Sequence, residues 1–545
     1  MVIVPDTDII LLKSPLKLDH SNQITFASAT AQYNYFYGLT KLEYDGCTYQ
    51  RKDGVIRYET SDILRYEDLL QYNYCMYKND SYKDKWFYAF ITDCTYVNDG
   101  LTTIKIETDV FQTWQFDIQY MNSFIEREHV SDDTIGLHTI PEGLETGEYI
   151  VNASGAVEST KFNYTKMHVC IGLSWIPDNT PGLYTTSRFC GGVFSGTYYL
   201  VMKTGGDASK LIKAYASIGH AEDIQCLFMI PATLAAITSS TSWQQANLGG
   251  QTDIDFITLH SSSSAINITE NISITSPTTL NGYTPKNNKL FCYPYNCLSI
   301  SNNVGTQAEF RYEDFTSNSP LFDLIGVQTP SSSMWLFPKN YKLDTTSKSG
   351  YNWGIPLAKI PQGSWNADMY TNWMTQNGIN IMGIKLNAAE TQILKGATEA
   401  LIGGATLDAE NIGGGLGKMF GAIQTQYKAS MIPNQIGGQV NAGDITFAYD
   451  KLSPTYYKMS IRYEYAKMID DFFTMYGYKV NRLATPNIHK RTYWDYIKCG
   501  EVNLEGAIPE ADLNKIRTMF NNGCTFWHTT DHYLDYSQIN SIVTP

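Results

Sequence analysis

Charge is scarce in this sequence. Asp, Glu, Lys and Arg make up 17% of it, and 40 basic residues face 54 acidic ones, for a net charge of −14. A protein that grips nucleic acid draws most of its affinity from neutralised phosphates, so this balance argues against a DNA-holding surface. It suits ordinary solubility first, and also a wall past which DNA slides, because like charges do not stick; composition alone does not separate the two. No run of about 20 apolar residues occurs, which excludes a permanent membrane-spanning helix. The nearest approach, 226–237, contains Pro231, runs into Ser239, Ser240 and Thr241, and reads as a buried strand. The ten cysteines include no CxxC, and Cys292 and Cys297 have no second pair at ligand spacing. Scattered thiols of this kind fit a reducing compartment. The opening Met1-Val-Ile-Val-Pro5 lacks the basic head and apolar run of a signal peptide, so synthesis in a cytosol is expected and the sequons at Asn267 and Asn271 carry no weight.

Catalytic patterns are missing as well. There is no GxSxG, no phosphate-binding loop and no dinucleotide fingerprint. Glu126-Arg-Glu-His129 offers a single His where a zinc helix needs two on one face, and reads as a solvated strand end or an interface ion pair. Asp470 and Asp471 are adjacent on an expected helix, about 100° apart, and read as surface charge. His528 and His532 lie four apart in a strand or loop without supporting acids. The sequence therefore predicts no catalytic residue, no metal ligand and no cofactor. A wall-degrading enzyme is kept only as a distant alternative, since paired glycosidase carboxylates leave no motif.

What is abundant is apolar and aromatic: 43% hydrophobic residues and 13% aromatics, led by 39 Tyr. That is core-forming material with a preference for half-buried sheets. Ile104, Ile106 and Val110 alternate with Lys105, Glu107 and Asp109, the period of a strand buried on one face. The run 86–91 is apolar on both faces and predicts a central strand, joined to the first through Asn98-Asp99-Gly100 as a hairpin. A helix is expected over 62–77, with Ile63, Tyr66, Leu70 and Tyr74 on one face. Residues 298–301 and 307–312 predict a second hairpin across Asn302-Asn-Val-Gly305. Residues 454–476 read as one helix, with Ser453 as N-cap and Gly477 as C-cap. Another helix follows Pro509, with Leu513, Ile516 and Phe520 inward and Asn521-Asn-Gly523 as its stop. The fold class is mainly β with some α, and no fixed-period repeat appears.

Six blocks resemble one family. Trp86-Phe-Tyr-Ala-Phe-Ile-Thr92, Glu107-Thr-Asp-Val-Phe-Gln-Thr-Trp114 and Ser123-Phe-Ile-Glu-Arg-Glu-His-Val130 resemble the N-terminal region of tail knob (distal tail tube) proteins from small short-tailed bacteriophages of Gram-positive hosts. Tyr283-Thr-Pro-Lys-Asn-Asn-Lys-Leu290 with Tyr293-Pro-Tyr295 is similar to the family's central signature. Asp470-Asp-Phe-Phe-Thr-Met-Tyr-Gly-Tyr-Lys-Val480 and Thr525-Phe-Trp-His528 are similar to its C-terminal part. The resemblance implies tandem tail-tube-type antiparallel β domains, and a homohexameric ring in the virion tail through which genomic double-stranded DNA leaves without sequence-specific binding. It further implies a collar protein upstream, a separate lytic protein at the tail tip, and a loop that plugs the tube and later acts on the host membrane. The expected organisation is a tube domain at 1–150, an inserted outer β-rich domain at 151–282, a second tube domain at 283–386, a mobile apolar loop at 387–441 and a C-terminal tube part at 442–545.

The loop has its own signal. Ala389, Ile393, Ala397, Ala400 and Leu401 form one apolar helical stripe, and Leu416, Met419, Phe420, Ile423 and Tyr427 a second. Gly413, Gly417 and Gly421 repeat every fourth position, a ladder that lets helices approach closely in lipid. Glycine costs roughly 1 kcal/mol against Ala in a helix, which disfavours a plain scaffold. Ile393, Leu394, Leu401, Ile402, Gly413, Leu416, Gly417, Met419, Phe420, Gly421 and Ile423 are the expected membrane-active residues. A receptor- or wall-binding adhesin, stacking exposed Tyr and Trp on sugars, is the main alternative.

Overall fold

The computed structural model describes residues 7–342 with short breaks, the strand pieces at 355–356 and 364–365, and residues 453–543. The expected loop at 387–441, with all eleven of its candidate residues, lies outside the described residues. Two compact units emerge. The first joins Met1–Thr146, Tyr283–Leu290 and Tyr463–Pro545; the second joins Gly147–Gly282 and Phe291–Arg462.

The first unit holds a six-stranded sheet in the order Lys41–Cys47, Thr7–Leu12, Tyr74–Asn79, Trp86–Asn98, Leu101–Thr108, Val55–Glu59. The expected hairpin is present: Asn98 pairs with Leu101, and the Gly100 N–H caps the Asn98 side chain at 2.9 Å. Ile104 and Ile106 are buried as their alternation requires. One face of the sheet buries Ile10, Leu12, Tyr74, Met76, Tyr88 and Phe90 around Phe36 of the Ala29–Tyr37 helix. On the other face the sheet curls until Tyr44 of one edge strand meets Tyr58 of the opposite edge, ring centroids 4.9 Å apart.

The helix expected over 62–77 is not formed. A single turn, Tyr66–Leu69, is followed by the Tyr74–Asn79 strand, while 61–64 lie outside the described residues. Tyr74, Cys75, Met76 and Tyr77 are all buried, two on each face of a central strand, and that environment overrides a weak helical stripe.

A second sheet in this unit runs Asn22–Ile24, Cys524–Trp527, Trp494–Glu501, Ser123–Glu128, Tyr478–Ala484, with the first pair parallel. The expected helix after Pro509 is Glu510–Asn522; Leu513, Ile516 and Phe520 are buried, and Gly523 ends it at φ 93°. The helix expected from Pro454 starts later. Thr455–Ile461 is a strand of the second unit, and Tyr463–Tyr476 is the helix. Pairing on both sides decides this, because the aromatic and β-branched run Thr-Tyr-Tyr-Lys-Met-Ser-Ile sits between Tyr149–Ala156 and Asn296–Ser301. Gly477 does close the helix: at φ 64° its N–H reaches the Phe473 carbonyl at 2.8 Å.

The second unit contains a four-stranded antiparallel sheet in the order Tyr149–Ala156, Thr455–Ile461, Asn296–Ser301, Gln307–Phe310, which includes the second expected hairpin. A six-stranded sheet centres on Met167–Leu173, Tyr198–Met202 and Ile224–Pro231, the last being the strand expected near Cys226. A further four-stranded sheet includes Asn267–Ser273 and Leu321–Gly326. One core joins all three sheets through Val201, Ile230, Leu298, Ile300, Phe310, Phe322 and Leu336. No helix among the described residues is long and apolar enough to cross a membrane. All ten cysteines are free thiols, and burial pushes those of Cys170 and Cys524 well above their ordinary range.

Candidate functional site

The blocks that carry the resemblance, Tyr293-Pro-Tyr295 apart, lie in the first unit. Its centre is the 283–290 segment, whose Pro285, Asn287 and Asn288 keep it irregular and leave its backbone N–H groups needing acceptors. Buried carboxylates supply them. Asp470, fully buried on the 463–476 helix, accepts from the Tyr283 hydroxyl (2.8 Å), the Lys286 N–H (2.8 Å), and both the N–H (3.1 Å) and side-chain amide (2.8 Å) of Asn287. The expectation that Asp470 is surface charge is therefore wrong. Its neighbour Asp471, on the outer side of the helix, is half exposed. One residue along a helix separates a solvated acid from an internal peptide clamp.

Asp133 holds the next residue, accepting from the Asn288 N–H at 2.9 Å and the Tyr478 hydroxyl at 2.7 Å. Burial raises its carboxyl above the ordinary range despite those bonds. Glu142 pairs with Lys289 and Arg127 and accepts the Lys479 N–H at 3.0 Å. Every oxygen of these three carboxylates accepts a hydrogen bond. The arrangement binds a segment of its own chain.

The Glu126–His129 block is also corrected. Glu126 pairs with Lys498 at the surface, but Glu128 is buried, held by Arg482 (2.6 Å) and Lys490, and His129 is buried too. The His129 ring accepts the Tyr496 N–H at Nδ1 (2.8 Å) and contacts the Thr474 carbonyl from Nε2 (3.1 Å), which fixes a neutral ring with its proton on Nε2. Burial lowers its pKa to about 4. His528 binds Asp495 at 3.0 Å while His532 lies near Asp535 at 3.8 Å, so the two do not converge.

Among the described residues, one group of metal-ligating side chains falls within 4.8 Å: His220, Glu222 and Asp223, in the second unit. His220 stacks on Trp175 at 4.0 Å and hydrogen-bonds Asp223 at 2.8 Å, a contact that closes a turn.

Sequence reasoning did not single out the Tyr149–Ala156 strand. It lies at one edge of the four-stranded sheet, and Gln307–Phe310 at the other. Its eight residues, Tyr-Ile-Val-Asn-Ala-Ser-Gly-Ala, carry no charge and no proline, and most are exposed on both faces. The strand is irregular between Val151 and Ala153 but has no cationic guard, and an uncharged edge strand is a template for further pairing. The sequence signal was the unbroken lack of charge between Glu148 and Glu158.

Tandem antiparallel sheets, an N-terminal curled sheet, and buried acids committed to holding the chain together define a structural β protein of the tail-tube class. A family described as the C-terminal domain of the tail knob protein gp9 of Bacillus phage phi29 matches residues 259–541, and the caudoviral major tail protein N-terminus matches 6–119. The chain belongs to the phage tail knob family. It is 26% identical to the tail knob protein gp9 of Bacillus phage phi29, covering 98% of each chain, and 26% identical to that of Bacillus phage PZA, covering 96% of each. The structure of the bacteriophage C1 tail knob protein, gp12, shares the fold, with a TM-score of 0.62 and 14% identity over 98% of this chain and 100% of that one. The protein is a structural component of the virion tail.

Proposed function

We propose that copies of this chain join edge to edge into a closed ring, six-membered as the resemblance implies, that forms a conduit for outgoing DNA. The observation that carries this is the bare Tyr149–Ala156 edge. Its sheet has four antiparallel strands, so its two edges run in opposite directions. When the 307–310 edge of one copy meets the 149–156 edge of the next, the two are antiparallel and the alternation continues unbroken. A contact between different surfaces on identical copies either closes into a ring or grows without end.

The sheet face turned away from the core supports the conduit reading. By register it carries Ser154, Tyr457, Ser301, Gln307 and Glu309, with Ser299 buried beneath them; the charge on these residues is acidic, and Lys458 falls on the opposite face. Such a face offers phosphates nothing to bind. The 387–441 segment is proposed, on its apolar stripes and glycine ladder, to plug the conduit and later enter the host membrane. No covalent chemistry is assigned to any residue, and wall hydrolysis is left to a separate tail-tip partner.

Electron microscopy of the purified protein, alone and with its tail partners, tests the ring. Closed six-fold rings are expected. Particles of another symmetry, or rings that survive lysines placed on the edge by V151K and S154K, would overturn the edge-pairing reading.

A further inference from the structure

The buried His129 has two sets of partners built around it, one for each protonation state. In the neutral state Nδ1 accepts the Tyr496 N–H at 2.8 Å. On the other side, 4.0 Å from the same Nδ1, lies Asp495 Oδ1, which is buried and has no hydrogen-bond partner among the described residues. The other oxygen, Oδ2, is occupied by the Lys490 and Arg491 N–H groups and by His528. A buried carboxylate oxygen left open beside a histidine is an uncommon arrangement, because such an atom normally costs stability.

We propose that His129 is a proton-operated switch: when charged, it releases the Tyr496 N–H, donates to the open oxygen of Asp495, and so loosens the C-terminal end of the 463–476 helix and the 283–290 segment clamped to it. The required movement is about 1 Å, the difference between 4.0 Å and an ordinary N–H···O bond. A contiguous set of contacts carries it. The Thr474 carbonyl accepts both His129 Nε2–H and the Trp494 indole N–H, each at 3.1 Å. The hydroxyl of the same Thr474 accepts the Asn287 amide at 2.9 Å, and Asn287 is the residue held most fully by Asp470.

The surroundings keep the resting ring neutral. Burial disfavours its charge, Arg491 and Lys490 oppose it, and Asp495 and the Thr474 carbonyl favour it. Glu128, from the adjacent strand, is already spent on Arg482 and Lys490. His528 loads the same aspartate, and His489 stacks near His528 at 4.9 Å. From the helix side the ring meets the Thr474 carbonyl. An opening that restores an ordinary histidine becomes roughly thirtyfold more favourable between pH 8 and pH 5, given a folded pKa of about 4 against 6.5.

Hydrogen exchange of the full-length protein, corrected for intrinsic rates, reads this directly. Peptides covering 283–290 and 470–480 are expected to open roughly thirtyfold more at pH 5 than at pH 8, while the 86–108 hairpin does not change. H129Q, which cannot take up a proton, is expected to abolish the response, and D495N to weaken it. An equal response in H129Q, or none in the wild type, would overturn the switch. Should H129Q fail to fold, NMR of ring-labelled histidine in the wild type decides: a proton on Nε2 at neutral pH supports the proposal, and a buried ring titrating near 6.5 ends it.

Discussion

Asp470 and Gly477 show how much depends on single positions. Asp470 satisfies two backbone N–H groups, a hydroxyl and an amide, all within the first unit. Truncation to Ala leaves those donors buried without acceptors, at about 1–3 kcal/mol each before relaxation. D470A is therefore expected to lower stability by several kcal/mol, whereas D471A on the solvent side changes it by about 0.5 kcal/mol or less; urea denaturation compares them. Gly477 combines φ 64° with a site where an added Cβ would stand 2.2 Å from the Glu128 carbonyl oxygen. G477A is expected to be mostly insoluble, and a soluble G477A with an unchanged melting temperature would refute that geometry. Asp109 gives a pH signature. It caps the helix Val110–Trp114 and accepts the Tyr74 hydroxyl at 3.1 Å, and complete burial raises its carboxyl above the ordinary range. A raised acid favours the protonated fold, so its contribution is present at low pH and lost as pH rises from about 4 through the folded pKa. The stability of D109N relative to wild type is expected to improve steadily from pH 4 to pH 7. A constant difference across that range would show that Asp109 titrates normally.

At the level of elements, the proposed assembly rests on how the sheet edges differ. In the first unit's five-stranded sheet, the outer strand Tyr478–Ala484 is irregular between Lys479 and Arg482 and carries both cations, two ordinary guards against pairing. The Tyr149–Ala156 edge is also irregular, between Val151 and Ala153, but carries no cation. V151K with S154K is expected to leave the melting temperature within about 2 °C and to stop assembly in light scattering; loss of folding along with assembly would assign the strand a structural role instead. Alternation and turn chemistry made the two hairpins and the Glu510–Asn522 helix legible, because each buries one side of a regular pattern. The 62–77 and 454–462 stretches misled for one reason. Spaced aromatics satisfy a helical stripe and a two-faced strand alike, and only the neighbouring strands decide. The clamp acids were unreadable, since nothing local to Asp470, Glu128 or Asp133 announces that a segment over 100 residues distant supplies the donors. The resemblance blocks did mark the right stretches, without saying that they meet.

For the whole molecule, the proposed edge pairing sets the −14 charge against the uncharged edge: repulsion would keep free copies apart in dilute solution, while the edge would reward close approach. Raising salt is expected to promote ring formation, and assembly that weakens with salt would point to ion pairs in place of strand pairing. Assembled rings are expected to retain linear duplex DNA no better than roughly 10⁻⁴ M at physiological salt, the weak end of non-specific binding. The parallel pairing of Asn22–Ile24 with Thr525–Trp527 has a consequence for synthesis. A ribosome adding about 5–20 residues per second needs roughly half a minute or longer to travel from the first of these strands to the second. Through that interval Gln23 and Thr25 wait without their sheet, and the 283–290 clamp lacks Asp470. The first unit is thus finished only when residue 527 has been made. A nascent chain on a crowded message cannot present a completed knob to its neighbours, and assembly is held to chains translated almost to their end.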